Sequence, residues 1–327
     1  MKKLKYIIIS TIILFLGVAI FLIGGFYFPT NIKGEKIEKK LYGIENDSLV
    51  ANNGIKLHVF NTGMNKVSSL LVGANPWRPA PAFVIEHPEY GLIVFDSGLS
   101  TNIAIKGKKA LHLITGMLFD AHTEIGRDLP SQMREANLMP EDVKKMIYSH
   151  LHFDHIGNSD QFINATYYFG AETKLNSLKK INGFEPDFMS TIINDRPIEE
   201  INFIDGFRYA TFEKAVDLLG DNSIIVIQGN GHQTGSICLF INLPNGPVLL
   251  SGDEVVHFDW LYSDDIQHLA ENKNRAANFR NQVRMLLELM PNLVLFPGHD
   301  LSKAPKNRKD IILHNPEFYK KEGWDVK

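Results

Sequence analysis

Short apolar runs, separated by polar and glycine-containing segments, predict a chain in which strands and helices mix. The early strand-like runs occupy residues 57–60, 68–72, 82–86 and 92–95. Residues 87–91 join the last two runs as a hairpin, and helical patterns follow at residues 131–137 and 171–180. Residues 182–204 are predicted to form a loop-rich segment, after which residues 207–219 return to a sheet. This order predicts the α/β (α+β) class and no finer architecture.

The N-terminal segment departs from this pattern. Residues 6–28 carry no charged side chain, and a helix of that length would measure about 35 Å, enough to cross a bilayer. A cleaved signal peptide is the alternative, but the apolar stretch is longer than the roughly 7–15 residues usual there, and no A-x-A-like site follows it. We therefore predict an uncleaved, single-pass transmembrane anchor within residues 1–29.

The charges around this segment bear on its orientation. Lys2, Lys3 and Lys5 precede it, which predicts a cytoplasmic N terminus at the cell membrane and an extracytoplasmic location for the bulk of the chain. Lys33 and Lys36 follow the segment, however, so the orientation stays open.

Beyond the anchor, composition divides the chain into a polar lead-in over residues 30–54, a globular domain over residues 55–304 and a charged tail over residues 305–327. Hydrophobic residues make up 44% and charged residues 22%, as in ordinary globular proteins. The formal net charge of −3 leaves no basic excess for binding phosphates, so nucleic acid is not a predicted partner. Cys238 is the only cysteine, which excludes an intramolecular disulfide, and its apolar neighbours predict a buried position.

One segment concentrates side chains that bind metal ions. The apolar run at residues 146–148 leads directly into His150, His152, Asp154 and His155. Neutral imidazole nitrogens and carboxylate oxygens are donors that a divalent ion such as Zn²⁺ accepts. His150 and His152 are two positions apart, so in an extended segment they point the same way and can bind one ion. Asp154 and His155 follow at the turn, where they can address a second ion.

Three further candidate ligands repeat one local arrangement. His232, Asp253 and His299 each lie beside a glycine, shortly after an apolar run that predicts a strand. Glycine lets the backbone turn sharply at such points. A strand, a tight turn and a donor, repeated in this way, allow a sheet to gather metal ligands from distant parts of a chain.

The complete pattern, HxHxDH followed by a histidine, then GD and then GH, resembles the metallo-β-lactamase superfamily over roughly residues 55–300. This resemblance implies an αββα sandwich, two mixed sheets faced by helices, with two divalent metal ions at one rim. It implies ligands to one ion from His150, His152 and His232, ligands to the other from Asp154, His155 and His299, and a bridging carboxylate from Asp253. It also implies that Asp96, just after the run at residues 92–95, supports the ligands from behind.

Such a dinuclear site predicts hydrolysis. Two divalent ions make a bridging hydroxide available near neutral pH and polarise a carbonyl or phosphoryl oxygen. Asp154 is the predicted catalytic residue, because it would lie near that hydroxide and transfer its proton. Zn²⁺ is the expected metal, although these ligands also accept iron or manganese.

The segments around His150 and His232 are most similar to those of the N-acyl homoserine lactone lactonases. This resemblance implies a small-molecule lactone or carboxylic ester as substrate, with Phe153 lining the pocket. Those lactonases place a carbonyl-polarising tyrosine three residues after the bridging aspartate, where this chain has Val256. The neighbouring His257 is the polar residue that could substitute, but the favoured interpretation is a surface or loop histidine.

Two other functions stay open. An extracytoplasmic phosphodiester or phosphocholine-ester hydrolase could use the same residues. A metal-bearing ligand-binding module without turnover is the non-enzymatic alternative, although degenerate members of such families usually lose ligands and this chain retains all of them.

Overall fold

The computed structural model describes residues 2–27, 29–44, 54–68, 76–173 and 196–315. In these residues two β-sheets share one buried apolar layer, and helices cover their outer faces. The αββα sandwich implied by the sequence resemblance is therefore confirmed.

The sheets are mixed, and their strands follow one another in space in an order that differs from the chain order. The strands of the first sheet are, in spatial order, β16 (Ile311–Leu313), β2 (Lys56–Val67), β3 (Arg78–His87), β4 (Gly91–Phe95), β6 (Val143–Ile147), β7 (Thr166–Gly170) and β8 (Ile198–Ile201), with β5 (Phe119–His122) paired to β2. Those of the second sheet are β15 (Val294–Phe296), β13 (Gly246–Leu250), β12 (Ile237–Leu243), β11 (Ile224–Gln228), β10 (Phe212–Asp217) and β9 (Phe207–Tyr209). A separate pair joins β1 (Thr30–Asn31) and β14 (Asp265–Ile266).

The helices and tight turns lie between these strands. The α-helices are α1 (Lys2–Tyr27), α2 (Thr101–Lys106), α3 (Leu113–Leu118), α4 (Leu129–Glu135), α5 (Phe258–Leu261) and α6 (Lys273–Leu289). The described residues also form short 3-10 turns at Gly107–Ala110, Pro140–Asp142, Ser159–Gln161 and Gly252–Val255.

The central apolar layer forms because alternate residues of each strand face the opposite sheet. Leu57 and Val59 of β2 pack in one cluster with Val226 of β11 and Leu239 of β12, all fully buried. The other faces pack against helices: Met133 of α4 lies in the cluster that covers the first sheet. Phe279, Val283 and Leu286, on one side of α6, cover the second sheet. This four-layer packing fixes the positions of the strand ends.

Cys238 faces the layer between the second sheet and α6, with no exposed surface. Its Sγ donates a hydrogen bond to the carbonyl of Ser251 at 3.1 Å, and burial raises the pKa of the thiol well above its usual value. The prediction of a buried core cysteine is confirmed.

Short edge strands correct two sequence predictions. Residues 198–201 fall in the predicted loop-rich segment but form β8, which pairs in parallel with β7. Residues 311–313 fall in the predicted tail but form β16, which pairs in parallel with β2. Both strands are only three or four residues long, so their apolar pattern is too short to indicate a strand and their pairing partners decide their structure.

Of the two predicted helices, one begins earlier than expected and the other falls mostly outside the described residues. The helix expected at residues 131–137 begins earlier, at Leu129, because Asp128 caps it by accepting a hydrogen bond from the backbone N–H of Ser131 at 3.0 Å. The helix expected at residues 171–180 lies for the most part outside the described residues, as does most of the run at residues 68–72.

The predicted transmembrane anchor is not confirmed. Helix α1 covers most of residues 6–28, but the side chains of residue 15 and of residues 18–28 lie outside the described part of the structure. Among the residues that are described, no helix is both long enough and apolar enough to cross a membrane. The membrane location and orientation of the chain stay predictions of the sequence.

Candidate metal centre

The candidate ligands lie at one rim of the sandwich, on loops that follow the carboxyl ends of strands. Strands β4 and β6 run parallel, and so do β11, β13 and β15, so these loops leave each sheet on one side. A hydrogen bond from the backbone N–H of Ile237 to the carbonyl of Ser149, at 2.8 Å, joins the two sheets there. The loop after β6 carries His150, His152, Asp154 and His155, and the loops after β4, β11, β13 and β15 carry Asp96, His232, Asp253 and His299.

The first donor group consists of His150, His152, His232 and Asp253. Nδ1 of His152 lies 2.9 Å from Nε2 of His150 and 3.0 Å from Nε2 of His232. The three rings are nearly perpendicular to one another, with interplanar angles of 86°, 82° and 89°. Because the lone pair of an imidazole nitrogen lies in the ring plane, three such rings can direct their nitrogens to one point.

The second donor group consists of Asp154, His155 and His299. Oδ2 of Asp154 lies 3.3 Å from Nε2 of His299, and Oδ1 lies 4.0 Å from Nε2 of His155. The Nε2 atom of His155 is buried and has no hydrogen-bond partner among the described residues. A buried polar nitrogen of this kind requires a partner, and a metal ion would be one.

Asp253 lies between the two groups, with one carboxylate oxygen toward each. Its Oδ2 lies 3.5 Å from Nε2 of His232 and 4.0 Å from Nε2 of His150. Its Oδ1 lies 3.4 Å from Nε2 of His155 and 3.3 Å from Nε2 of His299, yet makes no hydrogen bond within the described part of the chain. A single carboxylate can therefore serve both groups.

The donor sets fit two divalent ions. In each group the candidate ligand atoms lie within 4.8 Å of one another. Ligands at about 2.0–2.1 Å from a tetrahedral zinc ion lie about 3.3 Å apart, close to the spacing of the three imidazole nitrogens in the first group. The clusters are thus consistent with a dinuclear metal site, while imidazole and carboxylate donors do not set the identity of the metal.

Asp96 contacts the ligand-bearing loop from behind. Its Oδ2 accepts hydrogen bonds from Nδ1 of His155 at 2.8 Å and from Oγ of Ser149 at 2.7 Å, and its Oδ1 accepts from the backbone N–H of Ser149 at 2.7 Å. A carboxylate on the outer nitrogen of a ligating histidine fixes the tautomer and the direction of the ring. The expected supporting position of Asp96 therefore matches its contacts.

Three residues that the sequence does not single out make supporting contacts to the ligands. Oε1 of Gln267 lies 2.6 Å from Nδ1 of His232, and its Nε2 donates to the carbonyl of Asp253 at 2.6 Å. Asn65 on β2 donates to Oδ2 of Asp154. The carbonyl of Pro79 accepts from Nδ1 of His299 at 2.6 Å. Each orients one ligand, but none has a local pattern in the sequence that could have revealed it.

The two groups differ in their electrostatics. Burial lowers the pKa of His150 well below its usual value, and burial together with His232 lowers the pKa of His152 to about 3. Burial also acts to lower the pKa of His155, but the carboxylates of Asp96 and Asp253 raise it well above its usual value. His150 and His152 therefore present neutral imidazoles, the form that binds a metal ion.

The two remaining predicted site residues are largely buried. His257 is only 7% exposed and packs against Trp260, with ring centroids 5.1 Å apart, so it is not a surface histidine, and it lies in the short loop between the turn Gly252–Val255 and α5. Phe153 is 4% exposed and packs against Phe119 in the layer between the first sheet and its helices, with centroids 6.0 Å apart. Its place in a substrate pocket stays a prediction of the sequence.

Comparison with known proteins agrees with this geometry. Residues 75–299 match the family described as the metallo-beta-lactamase superfamily. The chain belongs to this superfamily. Among its relatives, N-acyl homoserine lactonase AttM of Azorhizobium caulinodans is 28% identical over 279 residues, which cover 83% of this chain and 96% of the relative. Metallo-hydrolase mfmC of Annulohypoxylon moriforme is 26% identical over 246 residues, which cover 68% of this chain and 63% of that protein.

A solved structure shows the same superfamily fold. A mutant of B. thuringiensis AiiA, with N-decanoyl-L-homoserine bound at its active site, superimposes with a TM-score of 0.63 at 18% sequence identity. The superposition covers 76% of this chain and 94% of that chain. The chain is therefore a metallo-hydrolase of the superfamily, similar to N-acyl homoserine lactonases.

Proposed function

We propose that the chain is a hydrolase that opens the ring of a lactone, of the N-acyl homoserine lactone type, or cleaves a related carboxylic ester. The observation that carries this proposal is the carboxylate of Asp253, which presents one oxygen to each of two buried donor groups. The sequence similarity to a relative named for N-acyl homoserine lactone hydrolysis supports a lactone among the possible esters.

The residues that would hold two metal ions are those of the two donor groups. His150, His152 and His232 would bind one ion, Asp154, His155 and His299 the other, and Asp253 both. When bound, two divalent ions supply a water molecule of lowered pKa and polarise the carbonyl that is attacked.

Asp154 is the proposed proton carrier. Its Oδ2 is held by Asn65 and lies 3.3 Å from Nε2 of His299, whereas its Oδ1 makes no hydrogen bond to a described residue. Oδ1 is therefore the atom proposed to accept the proton of the attacking water and to pass it to the alkoxide that leaves when the ring opens. General acid–base assistance of this kind contributes roughly 10²–10⁴-fold to a rate.

His257 is the proposed donor to the substrate carbonyl in place of the tyrosine that Val256 replaces. The backbone carbonyl of Val256 accepts from the N–H of His299 at 2.8 Å, which places the next residue beside the ligand loop. Nδ1 of His257 is buried, and no described residue forms a hydrogen bond with it. Burial, with Arg78 and His299 nearby, lowers the pKa of His257 to about 3, so its ring is neutral near pH 7 and donates through one nitrogen.

The test measures metal content and initial rates of the purified chain on an N-acyl homoserine lactone, an aryl ester and a phosphodiester. We expect two metal ions per chain and turnover of the lactone. Asp154→Asn should lower that turnover by roughly 10²–10⁴-fold. His257→Ala should lower it on the order of 10²-fold, the usual effect of removing one donor to a developing oxyanion.

Other outcomes would replace the proposal. Two metal ions with turnover of the phosphodiester alone would assign the phosphodiester hydrolase. Two metal ions with tight lactone binding and no turnover of any substrate would assign the ligand-binding module.

A further inference from the structure

Glu254 is a buried carboxylate beside the candidate metal centre that the hydrolytic mechanism does not use. It follows Asp253 directly in the 3-10 turn Gly252–Val255 and is only 4% exposed. The turn leaves β13, whereas His232 lies on the loop between β11 and β12. Contacts of Glu254 therefore join two loops that carry ligands of the first donor group.

The Oε1 atom of Glu254 accepts three hydrogen bonds from the His232 loop. The donors are the backbone N–H of Gly231 at 2.9 Å, the backbone N–H of His232 at 3.0 Å, and the hydroxyl of Ser236. Two of these donors are the peptide N–H groups of consecutive residues, and the second of them belongs to the candidate ligand His232 itself. The carboxylate thus fixes the backbone from which the His232 side chain projects.

The glycine beside His232 is explained by the same carboxylate. A Cβ atom added to Gly231 would lie 2.6 Å from Oε2 of Glu254 and 2.7 Å from backbone atoms of Ala276 on α6. No side chain fits between these groups, so the backbone at residue 231 can approach Glu254 only as glycine. The Gly-His pair in the sequence and the position of Glu254 are therefore parts of one arrangement.

The second oxygen of Glu254 has no compensating group in the described structure. Oε2 is buried and makes no hydrogen bond to a described residue. Burying a carboxylate oxygen without a partner is costly, unless a positive charge lies nearby. Two divalent ions at the adjacent ligands would supply that charge.

We propose that Glu254 is a positioning residue for the metal centre, which orients His232 and offsets the positive charge of the ions. This inference rests on the proposed metal-dependent function but not on the identity of the substrate. A residue that acts through a ligand typically changes metal affinity by about 10–100-fold.

The experiment compares the full chain with Glu254→Ala and Glu254→Gln. The matched control is Asp310→Asn, which alters a carboxylate that is equally buried, at 4% exposure, but bonds to Arg308 and the backbone N–H of Asn245 away from the donor groups. The readouts are metal dissociation constants from chelator competition, the visible spectrum of the cobalt-loaded protein, and the melting temperature of the metal-free protein.

We expect Glu254→Ala to weaken binding of one of the two ions by about 10–100-fold and to alter the cobalt spectrum. Glu254→Gln keeps an oxygen acceptor and loses the charge, so its affinity should lie between those of Glu254→Ala and the parent. Asp310→Asn should lower the melting temperature and leave both affinities and the spectrum unchanged. If Glu254→Ala does not fold, Ser236→Ala, which removes one donor to Oε1, should show a smaller loss of affinity.

The proposal is overturned if Glu254→Ala, or Ser236→Ala in its place, lowers the melting temperature as Asp310→Asn does while both metal affinities and the spectrum stay those of the parent. That result would leave Glu254 a purely structural contact. A parent that binds two ions but does not hydrolyse a lactone would refute the proposed substrate and leave this inference intact. A parent that binds no metal ion would refute both.

Discussion

Two pairs of histidines have the same short distance between their ring nitrogens. One pair belongs to the first donor group, and the other lies at the edge of the first sheet. Nε2 of His150 lies 2.9 Å from Nδ1 of His152, and Nδ1 of His58 lies 2.9 Å from Nε2 of His314. Burial lowers the pKa in both places, to about 3 for His152 and to about 4 for His314. By distance and by pKa alone, the two clusters are alike.

The angle between the ring planes distinguishes the two clusters. His150 and His152 lie at 86° to each other, whereas His58 and His314 lie at 12°, with Phe60 stacked on His314 at 4.3 Å between centroids. Nearly parallel rings allow one N–H···N hydrogen bond, and the second nitrogen of His58 faces Glu86 at 3.3 Å instead of a shared point. A short contact between imidazoles is therefore not enough to indicate a metal centre, whereas perpendicular rings with a carboxylate among them are consistent with one.

The largest difference between the two clusters is expected when one imidazole is removed from each. His152→Ala should reduce affinity for one ion by more than about 100-fold, because loss of a ligand exceeds the 10–100-fold effect of losing its supporting partner. His314→Ala removes an imidazole with a similar contact and should leave two ions bound. Elemental analysis and chelator competition measure both. Equal metal loss in the two variants would show that ring orientation does not distinguish the clusters.

The same contrast explains how much of the site the sequence could predict. His150, His152, Asp154 and His155 lie within one short segment, so their density is visible without a fold. The supporting residues are different: Asn65 reaches Asp154 only because β2 lies in the same sheet as β6. A single asparagine in a strand carries no pattern, and only tertiary structure assigns its partner.

The fold shows the same division. The long apolar strands of the central layer were predictable because alternation over several residues indicates one buried face. The edge strands β8 and β16 were not, because each has only a few residues and is defined by pairing with β7 and β2. The burial of His257 was also hidden, since its packing against Trp260 depends on the turn before α5 rather than on apolar neighbours in the sequence.

An intermediate effect is expected from the contact that orients His155. Asp96→Asn should lower affinity for one ion by about 10–100-fold, because an amide cannot supply the negative charge that Asp96 holds against Nδ1 of His155 at 2.8 Å. Asparagine tolerates the left-handed backbone of residue 96, where φ is 57°, so the fold should persist. Chelator competition measures the change.

The control for this prediction is Asp128→Asn. Asp128 is also a buried carboxylate, but it caps helix α4, where asparagine caps nearly as well as aspartate. Its metal affinity and melting temperature should stay close to those of the parent. Loss of metal from Asp128→Asn, or none from Asp96→Asn, would contradict a specific role for Asp96.

The smallest effect is expected from the histidine pair at the sheet edge, and it depends on pH. Burial lowers the pKa of His314 to about 4, whereas a histidine in the unfolded chain titrates near 6.5. Between these pH values the unfolded chain binds a proton that the folded protein does not, so the free energy of unfolding falls as the pH falls from about 6.5 to about 4.

His314→Gln removes this titration. As the pH is lowered across that range, the melting temperature should therefore decline less steeply for His314→Gln than for the parent. Titration of the candidate metal ligands affects both proteins alike and does not change this difference. Parallel curves would mean that His314 titrates alike in the folded and unfolded chains, and that stacking on Phe60 does not hold it neutral.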